Sequence, residues 1–276
     1  MIVLITGASS GFGRLLAARL VQDGHRVFGT SRREAHSGGD FPVLPLDVRD
    51  DRSVTACVDR VRQAAGPVDV LVNNAGYVHE GPLEELPLAD LKAIFETNFF
   101  GAVRMIQAVL PSMRERRTGR IINVSSLAGL MPLPFLGPYC ASKHALESYS
   151  ESLRHELLPL GIHVTLVEPG YFKTGISTRK LRTEPAIADY DRHRAQMYAA
   201  FKRDEDASPP PDAVVDLMER IIRTKRPRLR HAIGKDALMY HVRGLVPEPI
   251  WELGLRRTFM PLSGQMSQRA PNFLGS

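Results

Sequence analysis

The chain has 276 residues, of which 43% are hydrophobic and 24% are charged. This length and composition fit a single globular domain with an appendage, and they exclude collagenous, disordered and coiled-coil chains. The two cysteines, Cys57 and Cys140, are too few for a disulfide framework and lack the spacing of a metal site. We therefore predict a protein of a reducing compartment with no bound metal.

The formal net charge of +6 would suit an anionic partner. Basic residues cluster at 114–117 and 225–230, but aromatic residues are not interleaved with them, which favours solvated helix ends over a nucleic-acid site. The chain opens directly on the apolar run Ile2–Ile5, with no basic leader, and no apolar stretch is long enough for a membrane span. We predict a cytoplasmic protein with no nucleic-acid partner and no integral membrane segment.

Short apolar runs rich in β-branched residues alternate with segments of helix length through the first two-thirds of the chain. The predicted strands are Ile2–Ile5, Arg26–Thr30, Phe41–Leu46, Val68–Val72, Arg120–Val124 and His163–Val167. Several of these runs are apolar on both faces, which is typical of a parallel sheet covered by helices on either side. The pattern predicts an α/β fold with a doubly wound, Rossmann-type sheet over residues 1–276, with ligands at the carboxyl ends of the strands.

Two predicted helices are long. One covers Leu88 to about Arg116 and is interrupted near Asn98–Gly101, and the other covers Tyr139 to about Leu158. Both present apolar faces, which fit either a homodimer or homotetramer interface or a monomer with those faces turned inward. The residues concerned in the first helix are Leu91, Ile94, Phe95, Val103, Ile106, Val109 and Leu110.

Helical periodicity fades between about residues 171 and 211, where the chain becomes polar and rich in arginine. A long insertion beside a binding edge predicts a substrate lid. A helix is predicted from Asp212 to about Thr224. A C-terminal extension follows from about residue 228, with a strand at Leu229–Ile233 and helices near Ala237–Val242 and Pro249–Arg257.

A glycine-rich turn follows the first predicted strand and opens the first helix. Glycines in such a turn let the backbone approach a pyrophosphate, and the helix N-terminus supplies oriented N–H groups. A lone turn of this kind also arises for steric reasons, but the strand before it and the helix after it favour a dinucleotide site. The predicted cofactor-binding residues here are Gly7, Ser9, Ser10, Gly11, Phe12 and Gly13.

The end of the second strand carries Arg32 and Arg33 and no carboxylate. An acidic residue at this place binds the adenosine ribose 2′-hydroxyl, whereas guanidinium groups suit a 2′-phosphate. The alternative is a pair of exposed arginines after a strand. We favour the first interpretation and predict that NADP(H) is preferred over NAD(H).

Two further strand ends supply candidate cofactor contacts. Asp47 and Val48 close the third strand, where the carboxylate either accepts from an adenine amino group or simply forms a turn. The segment Asn73–Gly76 closes the fourth strand, and its paired amides and small residues fit either a loop along the cofactor riboses or a plain Asx-turn. The cofactor candidates in this segment are Asn74, Ala75 and Gly76.

The strongest chemical signal lies in the middle of the chain. Tyr139 and Lys143 are four residues apart at the start of a helix and therefore share one face. An ammonium group and a nicotinamide charge beside the phenol favour the phenolate, so we expect a lowered pKa for Tyr139 and a role in proton transfer. Ser126, at the end of the preceding strand, is placed to hold a substrate oxygen. Tyr139 and Ser126 are therefore also the predicted substrate-binding residues.

These motifs, in this order and at these separations, resemble the short-chain dehydrogenase/reductase family over about residues 1–175. The resemblance implies an oxidoreductase acting on CH–OH and C=O groups, with hydride transfer from the pro-S face. It implies that Asn98, Ser126, Tyr139 and Lys143 are catalytic and that Asn98 holds a water behind the lysine. Lys143 would also bind the nicotinamide ribose, as Tyr139 would contact the cofactor. Further cofactor contacts implied by the resemblance are Pro169, Gly170, Phe172 and Thr174.

Arg32 also matches the arginine of family members that prefer NADP. One departure is Ser10, since some of those members carry a basic residue at that position. The tail from about Arg228 is similar to the C-terminal region of hydroxysteroid and retinol dehydrogenases.

The substrate expected from the sequence is a small molecule, a hydrophobic ketone or aldehyde or the matching alcohol. The lid candidates either line an apolar pocket or pack the lid onto the core; they are Leu133, Phe135, Leu136, Tyr171, Met197, Tyr198 and Phe201. The alternative function is a catalytically silent NADP(H)-binding sensor, which would have no use for Ser126, Tyr139 and Lys143.

Overall fold

A computed structural model of the chain describes residues 1–32, 40–174, 180–238 and 245–259. Within these ranges, seven parallel strands form a central sheet in the order β3-β2-β1-β4-β6-β7-β9, and β5 and β8 form a separate parallel pair. In chain order the strands are β1 (Ile2–Ile5), β2 (Arg26–Ser31), β3 (Val43–Pro45), β4 (Val70–Asn73), β5 (His79–Glu80), β6 (Gly119–Val124), β7 (Ile162–Pro169), β8 (Leu181–Arg182) and β9 (Arg230–Ile233).

Helices cover both faces of the central sheet. They are α1 (Gly11–Gln22), α2 (Asp51–Ala65), α3 (Leu88–Phe95), α4 (Gly101–Arg116), α5 (Gly137–Leu157), α6 (Asp191–Asp206), α7 (Asp212–Arg223) and α8 (Glu248–Phe259). One apolar cluster joins α1 and α7 to the sheet, and a second joins α2, α4 and α5 to its other face. The predicted doubly wound, Rossmann-type sheet is therefore confirmed, with its strand order reversing between β1 and β4.

Most predicted elements lie where the sequence places them. Strand β1 has its predicted bounds, and the predicted break near Asn98–Gly101 is a π-helical turn at Glu96–Phe100, between α3 and α4. Strand β3 is shorter than predicted, because Leu46 already belongs to the connection that leads to α2. That connection ends at Asp50, whose side chain caps α2 by accepting from Arg52 N at 2.8 Å.

The predicted lid contains a helix of 16 residues, α6, that its polar sequence did not reveal. The C-terminal strand β9 and helix α8 match their predictions closely, whereas the prediction for Ala237–Val242 falls partly outside the described residues. None of the helices described is long and apolar enough to cross a membrane. The described residues likewise contain no group of three histidine, cysteine or acidic side chains that could hold a metal ion.

The apolar face of α3 and α4 is turned inward in part, and Leu91, Phe95, Val103 and Leu110 are only partly buried. Ile94 and Ile106 are 0% exposed and Val109 is 1% exposed, and Ile106 and Val109 pack against the sheet of their own chain. These residues are thus accounted for within one chain. A homodimer or homotetramer stays a prediction.

A buried polar chain ties the middle of the sheet to α5. Asn73 Nδ2 donates to Asn123 Oδ1 at 2.9 Å, and Asn123 Nδ2 donates to Ser150 Oγ at 2.8 Å. Ser150 Oγ in turn donates to the carbonyl of Leu146 at 2.6 Å. Because buried polar groups are costly when unpaired, these bonds fix α5 against β4 and β6.

Replacing Asn123 by alanine should lower the free energy of unfolding by about 1 to 3 kcal/mol, because Asn73 and Ser150 lose their shared partner. Urea unfolding followed by circular dichroism measures this change. Thr165→Val is the matched control, since the buried Thr165 hydroxyl has no hydrogen-bond partner in the described part of the chain. Equal stability for the Asn123 variant and the native chain would contradict the assigned role.

Candidate active site

The turn between β1 and α1 can be built only from glycine at several points. Gly7 and Gly11 have φ values of +67° and +58°, in the left-handed region that side chains disfavour. A Cβ on Gly13 would lie 2.6 Å from Asn74 Nδ2 and 2.8 Å from the carbonyl of Gly7. The turn is therefore packed directly against the end of β4, with no room for side chains at these positions.

Asn74 and Thr6 hold this turn in place. Asn74 Nδ2 donates to the carbonyls of Thr6 and Gly7, both at 3.0 Å. The Thr6 hydroxyl accepts from the backbone N–H groups of Asn74 at 2.9 Å and Ala75 at 3.0 Å. Asn74 thus holds the glycine turn against the ends of β1 and β4. The sequence predicts Asn74 either in a loop along the cofactor riboses or in an Asx-turn, and neither interpretation includes this role. Thr6 was missed as a site residue because its partner is 68 positions away.

Helix α1 begins at this turn, and no side chain of the N-cap residue accepts a hydrogen bond from its first backbone N–H groups. The Ser10 side chain makes no capping hydrogen bond, in contrast to Asp50 at the start of α2. Uncapped N–H groups at a helix N-terminus form a site for an anion such as a phosphate. The predicted residue Ser9 lies in this turn, and Phe12 and Gly13 lie in the first turn of α1.

The end of β2 carries an exposed Arg32, while Arg33 lies outside the described residues. Across from it, Asp47 Oδ1 accepts from the backbone N–H of Arg49 at 3.0 Å, and Asp47 Oδ2 accepts from Arg49 Nη2 at 2.6 Å. Hydrogen bonding from the Arg49 guanidinium holds the pKa of Asp47 below its usual value. Asp47 therefore forms an Asx-turn with an ion pair. Its contact with an adenine, and that of the buried Val48 beside it, stay predictions.

Tyr139 and Lys143 project from the first turns of α5. Lys143 Nζ lies 5.7 Å from the centre of the Tyr139 ring and donates to the carbonyl of Val124 at 2.8 Å. The Ser126 hydroxyl hydrogen-bonds with the Tyr139 phenol. Ser126 Oγ also lies 3.3 Å from the carbonyl of Pro169 and accepts from Ala128 N at 3.2 Å. The three predicted catalytic side chains therefore converge at the carboxyl end of β6.

Burial dominates the electrostatics of this group. It raises the pKa of Tyr139 to about 12, with the hydrogen bond to Ser126 opposing the shift. It lowers the pKa of Lys143 to about 8, and the charge of Glu147 opposes that shift. The phenol pKa is thus raised, because desolvation of the phenolate outweighs the hydrogen bond with Ser126. The expected lowering beside a nicotinamide charge stays a prediction.

Asn98 lies in the π-helical turn and closes the far side of the site. Its Oδ1 accepts from Tyr77 N at 3.0 Å, and its Nδ2 donates to the Tyr77 carbonyl at 3.0 Å and to Ser142 Oγ at 3.1 Å. A Cβ on Gly76 would lie 3.1 Å from Asn98 Oδ1 and 3.8 Å from Lys143 Nζ. Asn98 is therefore brought beside the lysine, with only a glycine backbone between them. Its role toward a water stays a prediction.

The segment after β7 folds over the glycine turn. The ring of Phe172 packs edge-on against that of Phe12, with centroids 6.1 Å apart, and the Gly170 N–H donates to the Ile233 carbonyl at 2.8 Å. A Cβ on Gly11 would lie 2.9 Å from the Thr174 carbonyl. The predicted contacts from Pro169 to Thr174 are thus placed together at the mouth of the predicted cofactor site.

Ion pairs fasten the lid to the loop after β4. Glu80 pairs with Lys180 at 3.1 Å and with Arg182 at 3.0 Å, and buried Glu85 pairs with Arg194 at 2.6 Å. These pairs hold β8 and α6 against β5 and its following loop.

Most lid candidates pack the lid onto the core. Met197 is 0% exposed and Phe201 is 2% exposed, and both belong to one apolar cluster with Phe135 and Leu136. Partly buried side chains also pack against this cluster, among them Leu133, Tyr139 and Tyr198. Tyr171 is 36% exposed and lies outside the cluster. The side chains of α6 therefore pack the predicted lid onto the core, as the second of the two sequence interpretations expected. The same cluster forms an apolar wall beside Tyr139.

Replacing Lys143 by methionine tests the burial of its charge. Between a folded pKa of about 8 and an ordinary value of 10.5, the unfolded chain binds more protons at this site than the folded chain. The native protein should therefore gain stability relative to Lys143→Met as pH rises through this window, by up to about 1.4 kcal/mol per pH unit. Urea unfolding at about pH 7 and about pH 9.5, on either side of the folded pKa, measures the change. A difference independent of pH would show that the ammonium is not buried.

Comparison with known proteins agrees with this geometry. The family model described as short chain dehydrogenase matches residues 1–185. A 3-ketodihydrosphingosine reductase of Bacteroides thetaiotaomicron is 38% identical over 259 residues, covering 92% of this chain and 96% of the relative. The 17-beta-hydroxysteroid dehydrogenase type 1 of Homo sapiens is 38% identical over 252 residues, covering 83% of this chain and 76% of the relative.

A solved structure gives the same architecture. A variant of actinorhodin polyketide ketoreductase with NADPH matches with a TM-score of 0.72 at 30% identity, covering 86% of this chain and 96% of that one. The resemblance noted in the sequence, including the likeness to hydroxysteroid dehydrogenases, is therefore confirmed. The chain belongs to the short-chain dehydrogenase family and is an oxidoreductase acting on CH–OH and C=O groups.

Proposed function

We propose that the chain interconverts a hydrophobic ketone or aldehyde and the corresponding alcohol, with NADP(H) as cofactor and Tyr139 as the general acid and base. The observation that carries this proposal is the convergence of Tyr139, Ser126 and Lys143 at the carboxyl end of β6. Three groups with complementary proton chemistry are gathered there beside the glycine turn.

The residues around the turn fit a dinucleotide. The glycine positions leave a cradle that a Cβ would fill, and the uncapped start of α1 directs free N–H groups toward it. We assign the pyrophosphate to Gly7–Gly13 and the nicotinamide end to the segment from Pro169 to Thr174. When bound, the cofactor supplies or accepts the hydride. Asn74 acts on this site through the glycine turn that it braces.

The proton chemistry then follows from the side chains in place. In reduction, the Ser126 hydroxyl donates to the substrate oxygen and orients it, and the Tyr139 phenol gives that oxygen its proton. The Lys143 ammonium favours the phenolate that remains, since opposite charge stabilises the ionised form. Alcohol oxidation runs the same transfers in the opposite direction.

The apolar wall beside Tyr139 supports a hydrophobic substrate. The cluster of Phe135, Leu136, Met197 and Phe201 borders the phenol and presents no charged group of its own. Two relatives are named for a ketodihydrosphingosine and a hydroxysteroid, both of which have large apolar bodies. We assign a substrate of that chemical character, without selecting one.

Replacing Tyr139 by phenylalanine should reduce kcat by about 10²- to 10⁴-fold, because the proton donor is lost while the ring is kept. Oxidation of NADPH, followed by its absorbance with a panel of aromatic, aliphatic and steroidal carbonyls, measures the change. Tyr149→Phe is a matched control, since Tyr149 lies on the same helix and packs against Phe99. Tight NADPH binding with no turnover of any carbonyl by the native chain would instead favour a sensor.

We assign the 2′-phosphate of NADP(H) to Arg32, whose exposed guanidinium follows β2 at the strand end where the adenosine ribose binds in this fold. Arg33 belongs to the same proposal. The NADPH-bound ketoreductase that this chain resembles supports this choice of cofactor.

Replacing Arg32 by serine should weaken NADPH binding about 10- to 100-fold and leave NADH binding nearly unchanged, because only NADPH carries the 2′-phosphate. Fluorescence titration with each cofactor measures both dissociation constants. Arg26→Ser, at the opposite end of β2, removes the same charge and serves as control. Equal losses for the two cofactors would rule out a contact with the phosphate.

A further inference from the structure

A cluster of buried charge lies behind Lys143, on the side away from Tyr139. Glu147 is 4% exposed on α5, Glu168 is 0% exposed near the end of β7, and Arg230 begins β9. None of the three takes part in the proton chemistry described above. Because buried carboxylates are costly, their presence beside the active site calls for a physical account.

One guanidinium faces three carboxyl groups in this cluster. Arg230 Nε lies 3.2 Å from Glu147 Oε2 and 3.6 Å from Glu168 Oε1, and Arg230 Nη2 lies 2.9 Å from Glu151 Oε2. Glu151 is half exposed and is therefore screened by solvent, so Arg230 interacts mainly with the two buried carboxyl groups.

The two buried carboxyl groups differ in how strongly they hold a proton. Burial, reinforced by the charge of Glu147, raises the pKa of Glu168 to about 8 against the opposing effects of Arg230 and the backbone amide of His231. Burial also raises the pKa of Glu147, but the Ser125 hydroxyl, Arg230 and Lys143 all oppose this shift. At neutral pH the proton therefore resides on Glu168, while Glu147 is the carboxyl group that Arg230 contacts more closely.

Glu147 and Lys143 are four residues apart on α5 and share its inner face. A Cβ placed on Gly129 would lie 3.1 Å from Lys143 Cβ and 3.2 Å from Glu147 Cγ. Both side chains therefore pack against the backbone of Gly129. The groups around the lysine are the Val124 carbonyl from β6, the Tyr139 phenol and Asn98 across Gly76. The charge of Glu147 opposes the lowering of the Lys143 pKa. The Glu147 carboxyl group therefore lies one helical turn from a buried ammonium.

We propose that Glu147, held by Arg230 beside Glu168, is a positioning residue that stabilises the charge of the Lys143 ammonium behind Tyr139. The effect on turnover rests on the function proposed above, whereas the effect on the lysine itself does not. Glu147 acts through Lys143 and touches neither the substrate nor the cofactor.

The lysine can be observed directly by NMR in the protein labelled with ¹³C at lysine Cε and free of cofactor. The resonance of Lys143 is the one missing from Lys143→Met, and its pKa of about 8 separates it from ordinary lysines. Glu147→Gln should move its titration midpoint down by about one pH unit, the size expected for a unit charge about one helical turn away in a partly polarisable interior.

Glu151→Gln is the matched control, because it removes the same charge from the same helix and from the same arginine but at a solvent-screened position. It should leave the midpoint in place. If Glu147→Gln fails to fold, Glu147→Asp, which withdraws the carboxylate by one methylene, should move the midpoint in the same direction by less. An unchanged midpoint in the folded Glu147 variant, or equal shifts for the two Gln variants, would overturn the proposal.

Turnover provides the second readout. The alkaline limb of the kcat profile with NADPH should shift to lower pH in Glu147→Gln, with kcat at about pH 6.5 changed far less than kcat at about pH 8.5, because Lys143 loses its proton earlier. A uniform loss of kcat at all pH values would indicate a merely structural role for Glu147 and overturn the proposal. An inactive native chain whose Lys143 midpoint still shifts in the variant would refute the proposed function and leave the effect on the lysine standing.

Discussion

The Lys143 ammonium is buried at the carboxyl end of the sheet, and several separate parts of the chain are arranged around that charge. The Val124 carbonyl accepts its hydrogen bond, Gly76 lets the Asn98 turn approach it, and Glu147 supplies a negative charge behind it. A cation in this position reduces the stability of the folded chain at neutral pH. What it provides is a fixed positive charge beside a phenol that burial would otherwise hold firmly in its neutral form.

The same edge of the sheet shows which features the sequence could predict. The strands of the central sheet, the break near Asn98 and the spacing of Tyr139 and Lys143 are local patterns, and each appears in the structure close to its expected place, although β3 is shorter. The brace between Asn74 and Thr6 depends on two strands that pair only after folding. Glu147, Glu168 and Arg230 likewise come from three elements, and their common burial leaves no periodic trace in the sequence.

The pKa of Tyr139 and the lid helix show two other limits. The sequence supplies the lysine near the phenol but not the depth of burial, which raises the phenol pKa. Helix α6 escaped prediction because its charged residues form ion pairs with the core, as Arg194 does with Glu85. A buried charged residue interrupts the apolar stripe with a period of about 3.6 residues on which helix prediction relies.

The attachment of the lid has a consequence for engineering. Glu80 and Glu85, which hold the lid, follow closely on the Asn74–Gly76 loop, and that loop braces the glycine turn at the start of α1. The lid and the glycine turn are therefore mechanically joined through one short connection. If a lid segment were exchanged with that of a relative, its basic residues would no longer be matched to Glu80 and Glu85. A chimera made to change substrate selection would consequently need the loop and the lid to be transferred as one piece.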